Sequence, residues 1–166
     1  MNCTKHNGLL MILTSLAVAL LLVGCNRKTV YSSYLHTPID SWGWESTDTM
    51  FFSIPSVTEG GLYSEEVGLR CNSSYPFKEL YLIVMQESFP HYTYRCDTVR
   101  FAITDENGVF LGKGISYFQY TAEIGEISLQ KGDSLQVSIR HCMRRENLKG
   151  LADVGFSLIR LPSKGR

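Results

Sequence analysis

From residue 48 onward the chain reads as short apolar alternations broken by turn signals, and nowhere does an apolar period of 3.6 residues persist. That pattern confines the fold to strands. Over 48–55, Met50, Phe52 and Ile54 fall on one face. After the turn at Glu59-Gly60-Gly61, the run 63–71 sets Tyr63, Val67, Leu69 and Cys71 together. Residues 80–86 are almost continuously apolar, as in a central strand covered on both faces. Residues 93–104 turn Val99, Phe101 and Ile103 inward, and a later run does the same with Leu135, Val137 and Ile139. Asp105-Glu106-Asn107-Gly108 contains the Asn-Gly pair of a type I′ hairpin turn, which would return the chain through Val109 to Leu111. Lys131-Gly132-Asp133 and the stretch 147–150 mark further turns, the second leading into a strand over 154–161. About eight or nine strands result, with turn signals roughly every 8–15 residues and no helix. The expected fold is all-β: a single antiparallel β-sandwich over 42–166, for which a jelly-roll order is open.

The beginning of the chain is of another kind. Lys5 and His6 precede an apolar run, 8–23, shorter than the roughly 18–20 residues that span a bilayer. It closes on Leu22-Val23-Gly24-Cys25. A charged start, an apolar stretch and a small residue before a cut make a secretory signal. The cysteine after the glycine matches the lipobox of bacterial lipoproteins. In that chemistry a diacylglycerol is joined to the Cys25 sulfur as a thioether, and the signal, 1–24, is removed to leave Cys25 as the lipidated N-terminus. Acyl chains then hold the membrane, at about 0.8 kcal/mol per buried methylene. Residues 25–41, polar and irregular with Pro38 near their end, read as lipidated N-terminus and tether. Net charge over the chain is zero, and the signal carries Lys5 and no acid. Such balance offers nothing to nucleic acid.

Few residues carry chemistry. Once Cys3 leaves with the signal and Cys25 is acylated, Cys71, Cys96 and Cys142 remain, without a C-x-x-C pair or a histidine at ligand spacing, so no metal site or cofactor is expected. Strand parity points Cys71 inward and the other two outward, so a disulfide, if formed, joins Cys96 to Cys142, provided their strands are neighbours. Gly112-Lys113-Gly114 lacks the frame of a phosphate-binding loop. His141 and Cys142 are adjacent and face opposite ways on a strand, while His36 and His91 fall in loops. No pair of carboxylates stands out as an acid–base dyad, so no catalytic residues are assigned. Two features keep weight. Trp42 and Trp44, two apart, either stack on sugar rings or pack across the open edge of the sandwich. Arg140, Arg144 and Arg145, with Lys149 nearby, form a basic cluster that is either a solvated strand end or a docking patch for acidic groups.

Three segments together resemble the gliding-motility lipoprotein family GldH. They are Tyr75-Pro76-Phe77-Lys78-Glu79-Leu80-Tyr81-Leu82; then Asp97-Thr98-Val99 running through Asp105 and Gly108 to Leu111-Gly112-Lys113-Gly114; and Met143-Arg144 with Leu148, Gly150, Asp153, Val154 and Gly155. The lipobox and the spacing from Trp44 to Asp48 and Phe52 fit as well, so the resemblance covers nearly all of the mature chain. It implies a non-enzymatic, membrane-anchored lipoprotein of the cell envelope, working with other envelope proteins of the gliding apparatus and type IX secretion. It supplies no catalytic residues. Asp153 is expected to cap a turn or to pair with an arginine, Arg144 being the obvious candidate. The basic Cys25-Asn26-Arg27-Lys28, in place of an acidic stretch, favours an outer-membrane lipoprotein facing the periplasm. A glycan-binding surface lipoprotein using Trp42 and Trp44 is the competing expectation.

Overall fold

The alternation is realised strand by strand in the computed structural model, which describes residues 28–37 and 43–162. Its elements in chain order are β1 (Lys28–His36), β2 (Trp44–Glu45), β3 (Met50–Ile54), β4 (Gly61–Asn72), β5 (Glu79–Phe89), β6 (Thr93–Ala102), β7 (Tyr117–Leu129), β8 (Ser134–His141), β9 (Asn147–Leu148) and β10 (Leu151–Arg160). Every pairing between them is antiparallel. One sheet has the order β1-β10-β4-β7, the other β3-β8-β5-β6, and β2 pairs with β9 at one end. With that short pair set aside, the eight long strands read 1-8-3-6 and 2-7-4-5. This is the jelly-roll, two sheets interleaved as Greek keys.

The inward residues named from parity lie in the core, joined there by residues of β5 and β10. Phe52, Tyr63, Leu69, Leu82, Val84, Ile103, Val137, Ile139 and Phe156 are all essentially inaccessible. Their burial is the main favourable term, about 1.5–3 kcal/mol for each large side chain. On β5 the outcome differs from the expected double coverage. Leu80, Leu82 and Val84 are buried while Tyr81, Ile83 and Met85 are only half-buried. An antiparallel sandwich covers one face of each sheet and leaves the other to water.

Three local readings are corrected. The expected tether contains β1, which pairs along its length with β10 from Lys28 opposite Arg160 to His36 opposite Asp153. It is held by Tyr34, which lies across Gly155 of β10 and Gly68 of β4, neighbours in register. A Cβ on Gly68 would fall 2.1 Å from Tyr34 Oη, and one on Gly155 would fall 2.6 Å from the ring. Strand β7, 13 residues long, has no counterpart among the expected strands. A bulge shifts its register against β4, where Glu65 faces Gly125 and Glu66 faces Glu123. Phe118, Ala122 and Ile124 therefore pack inward before it and Ile127 after it, so the parity flips in mid-strand. The Asn-Gly turn is not type I′, because Gly108 alone has positive φ there. Gly108 N–H donates to Asp105 O, Asp105 Oδ1 accepts from the amides of Asn107 and Val109, and the return is a single bridge from Thr104 to Phe110 rather than a strand.

The two ends of the sandwich differ. Lys28, Tyr63, Leu129 and Arg160 stand at the proximal end, where β1 begins; His36, Cys71, Phe118 and Asp153 stand at the distal end.

Candidate functional site

The distal end gathers three loops into one surface. Residues 72–79 are pinned by Tyr75, a buried ring whose hydroxyl donates to Glu79 O at 2.9 Å. Burial pushes that phenol well above its ordinary range. The turn after β9 packs directly on this loop: Gly150 has φ +82°, and a Cβ there would lie 2.3 Å from Tyr75 N. On the other flank, Lys78 O accepts from the Ile103 amide at 2.8 Å and Lys78 Nζ donates to Glu106 O at 3.1 Å, tying in the loop after β6. That loop exposes Val109, Leu111, Ile115 and Tyr117, with Ile115 at 95% accessibility. Phe110 stacks on Phe118 beneath it at 4.2 Å.

The basic cluster meets this surface only in part. Arg145 and Lys149 line an open cleft of about 570 Å³ with Ser74, Pro76, Phe77, Asn147 and the acidic Glu146. Arg144 is exposed beside it, whereas Arg140 lies on β8 opposite Ile83, on the outer face of the sheet. With Glu146 among them, Arg145 and Lys149 make a mixed-charge rim that still leaves two cations able to meet carboxylates or acidic side chains.

The tryptophan pair does not form a sugar platform with Trp44. That side chain is fully buried, its Nε1–H donates to Asp48 O at 3.0 Å, and its ring meets His141 edge-on at 5.2 Å. No ring face is left for a ligand. Trp42 and Cys25 lie outside the described residues. His141, equally buried, donates from Nε2 to Trp44 O at 3.1 Å. Burial holds its pKa below the ordinary histidine value of 6.5. Its neighbour Cys142 is exposed on the opposite face. Asp153 pairs not with Arg144 but with Arg70 at 2.8 Å and with His36. Strand register sets Arg70 across from Asp153, while Arg144 sits in the loop beyond β8. Cys71, Cys96 and Cys142 are all free thiols. Cys96 faces Met85 of β5 and the Cys142 amide bonds Tyr81 O of the same strand, so β5 runs between them and the provision of neighbouring strands fails.

Sequence reasoning missed a polar cluster inside the sandwich. Glu65 of β4, fully buried, ion-pairs with Arg95 of β6. Arg95 also donates to Asp97 at 2.6 Å and to Glu126 O of β7 at 3.2 Å. The Gln86 amide completes the group: oriented to satisfy both neighbours, its nitrogen donates to Glu65 Oε1 at 2.6 Å and its oxygen accepts from Arg95 Nη2 at 3.1 Å. Burial raises the Glu65 pKa against the opposing pull of Arg95. The signal was present: the inward series Tyr63–Val67–Leu69, Leu82–Val84 and Val99–Phe101–Ile103 extend by parity to Glu65, Gln86 and Arg95–Asp97. Among the described residues, no group of three or more His, Cys, Asp or Glu side chains is placed to hold a metal ion.

Fold and surface together define an all-β jelly-roll domain that brings exposed apolar and basic side chains together at the end opposite the start of its first strand. Across residues 29–158 the chain matches the family model for the GldH lipoprotein, and it belongs to that family. It is 26% identical over 161 residues to the gliding motility lipoprotein GldH of Flavobacterium johnsoniae, covering 93% of this chain and 96% of the relative. It is likewise 26% identical to the GldH homolog of Christiangramia forsetii, covering 84% of this chain and 88% of that one. Among solved structures, the GH26-CBM35 β-(1,4)-mannanase of Podospora anserina overlaps with TM-score 0.40 at 15% identity, over 80% of this chain and 28% of its own. An overlap that loose carries no functional argument.

Proposed function

We propose that this chain is a non-enzymatic lipoprotein of the cell envelope, held in the membrane through acyl chains on Cys25 and acting as a structural or assembly component of the gliding-motility and type IX secretion machinery. The family match over residues 29–158 is the observation that carries this reading. The lipobox Leu22-Val23-Gly24-Cys25 supplies the anchor, and the basic residues after Cys25 favour the periplasmic face of the outer membrane. The distal surface, with Arg144, Arg145, Lys149 and the apolar loop over 109–117, is the face offered to envelope partners. Trp44 being buried, nothing supports the glycan alternative.

Affinity purification from crosslinked envelopes tests the partner claim. The native protein is expected to retain components of the gliding and secretion apparatus, and Arg144→Glu with Arg145→Glu is expected to lose them while remaining folded. Recovery of the same proteins by the charge-reversed variant would sink the assignment of the face. For the anchor, Cys25→Ala is expected to leave a larger, unprocessed species in immunoblots of whole cells.

A further inference from the structure

The proximal end of the domain carries a second exposed apolar surface, and its position relative to Cys25 selects its partner. Contacts knit this end together. His91, in the turn between β5 and β6, lies 2.6 Å from Asp133 of the turn before β8. Gly132 N–H donates to Val57 O and Val57 N–H to Asp133 O, joining that turn to the loop before β4. Two residues on, Glu59 pairs with Lys28, the first residue of β1, and with Arg160. One end face thus includes the start of β1 and the tip of the β5–β6 hairpin.

Its hairpin tip exposes Phe89 and Tyr92, with Tyr92 at 61% accessibility, while the exposed Leu62 and Tyr94 flank it on the outer faces of the two sheets. Phe89 and Tyr92 lie together, their ring centroids 5.7 Å apart. Its turn carboxylates Glu59 and Asp133 are held below the ordinary carboxylate range, Glu59 by its hydrogen bond from Lys28 and the neighbouring Arg160 and Asp133 by its hydrogen bond with His91, and Glu87 accepts from the Tyr92 hydroxyl at 3.5 Å. Lys131 is exposed at the turn beside them. An end face with aromatic rings at a hairpin tip, matched carboxylates and peripheral lysines has the chemistry of the bilayer interface, where aromatic rings settle at headgroup depth and lysines meet anionic lipid.

Covalent reach makes the argument geometric. Three residues separate Cys25 from Lys28, a span of at most about 11 Å in extended chain. The headgroup layer itself takes up about 5–7 Å of that. The distal apolar loop lies a strand's length away, about 30 Å along β10. Only the proximal surface can reach the leaflet.

We propose that the proximal end face, led by Phe89 and Tyr92, seats on the lipid leaflet that holds the anchor and so fixes the domain upright, its distal surface away from the membrane. This rests on lipidation at Cys25. The test uses the full-length lipidated protein reconstituted in phosphatidylethanolamine–phosphatidylglycerol vesicles, with Cys96→Ser and Cys142→Ser and a fluorophore at Thr93→Cys or, separately, at Ile115→Cys. Lipids bearing a headgroup nitroxide are expected to quench the probe at 93 severalfold more than the probe at 115. Phe89→Ser with Tyr92→Ser is expected to cut the quenching of the probe at 93 severalfold, leaving only what the tether alone gives, while the protein still co-sediments with the vesicles. Equal quenching at the two positions in otherwise native protein, or quenching at 93 that the double substitution leaves unchanged, would overturn the seating while leaving the anchor intact. Failure of the native lipidated form to co-sediment would overturn the anchor and the seating with it.

Discussion

At the scale of single residues, the consequential side chains are polar groups placed where parity demands apolar ones. Glu65 is fully buried and Arg95, its side chain 32% exposed, reaches in to it, so removing Arg95 strands the Glu65 charge. Arg95→Met is expected to cost about 3–5 kcal/mol in urea denaturation, and Glu65→Leu combined with Arg95→Met considerably less, because the pair is then absent rather than broken. His141 gives a pH signature. Its folded pKa lies below the ordinary 6.5, so as pH falls past that value the unfolded chain takes up a proton that the folded chain resists. Stability contributed by neutral His141 is complete above 6.5 and declines below it, and His141→Gln is expected to flatten that part of a stability-against-pH curve. Trp44→Ala, which empties the site beside His141, is expected to lower stability by about 3–5 kcal/mol. Thiol titration adds a check on burial. Cys96 and Cys142 should react at once, and Cys71, its pKa pushed up to about 11 by burial, only on unfolding.

Among the elements, what could be read from sequence divides by whether a strand keeps its period. Strands β3 and β8 alternate without interruption and β4 and β6 are broken only at Glu65 and at Arg95 and Asp97, and Phe52, Leu69, Phe101 and Val137 take the inward places that parity assigns. Strand β7 hides because its bulge swaps faces between Ile124 and Ile127, and no fixed-period template matches both halves. Strand β1 hides for a different reason. Its inward side chains are few, and its attachment comes from Tyr34 lying over two glycines that belong to distant parts of the chain. Gly68 and Gly155 are unremarkable until register brings them side by side. The distal surface was legible only as a charge cluster, since the cleft needs the 72–79 loop placed beside 145–149. The inward-pointing Glu65 and Arg95 were legible by parity alone. For β1 the expected outcome is specific: Gly68→Ala displaces Tyr34 and speeds amide hydrogen exchange over 28–36, with little change in β5 or β8. Exchange that accelerates equally in all strands would show that Tyr34 does not hold β1 selectively.

For the molecule as a whole, the jelly-roll order makes every strand pairing except the β5–β6 hairpin depend on partners remote in sequence, so the domain should form as one cooperative unit. It also settles how the domain meets force. Strand β1 starts at the end nearest Cys25 and runs away from it, its hydrogen bonds to β10 lying across the strand axis. A pull on the N-terminus, opposed by a partner held at the far end, is directed along β1. Every bond of the β1–β10 ladder is then loaded together in shear, and none can be peeled off first. The mirrored attachment, with a load at the end where β1 finishes, would open the same ladder one pair at a time. In single-molecule stretching, pulling from residue 28 against the 109–117 loop is expected to require clearly higher force than pulling from residue 36 against the same loop. A protein tethered at the start of an edge strand is, by the direction of that strand alone, built to bear tension.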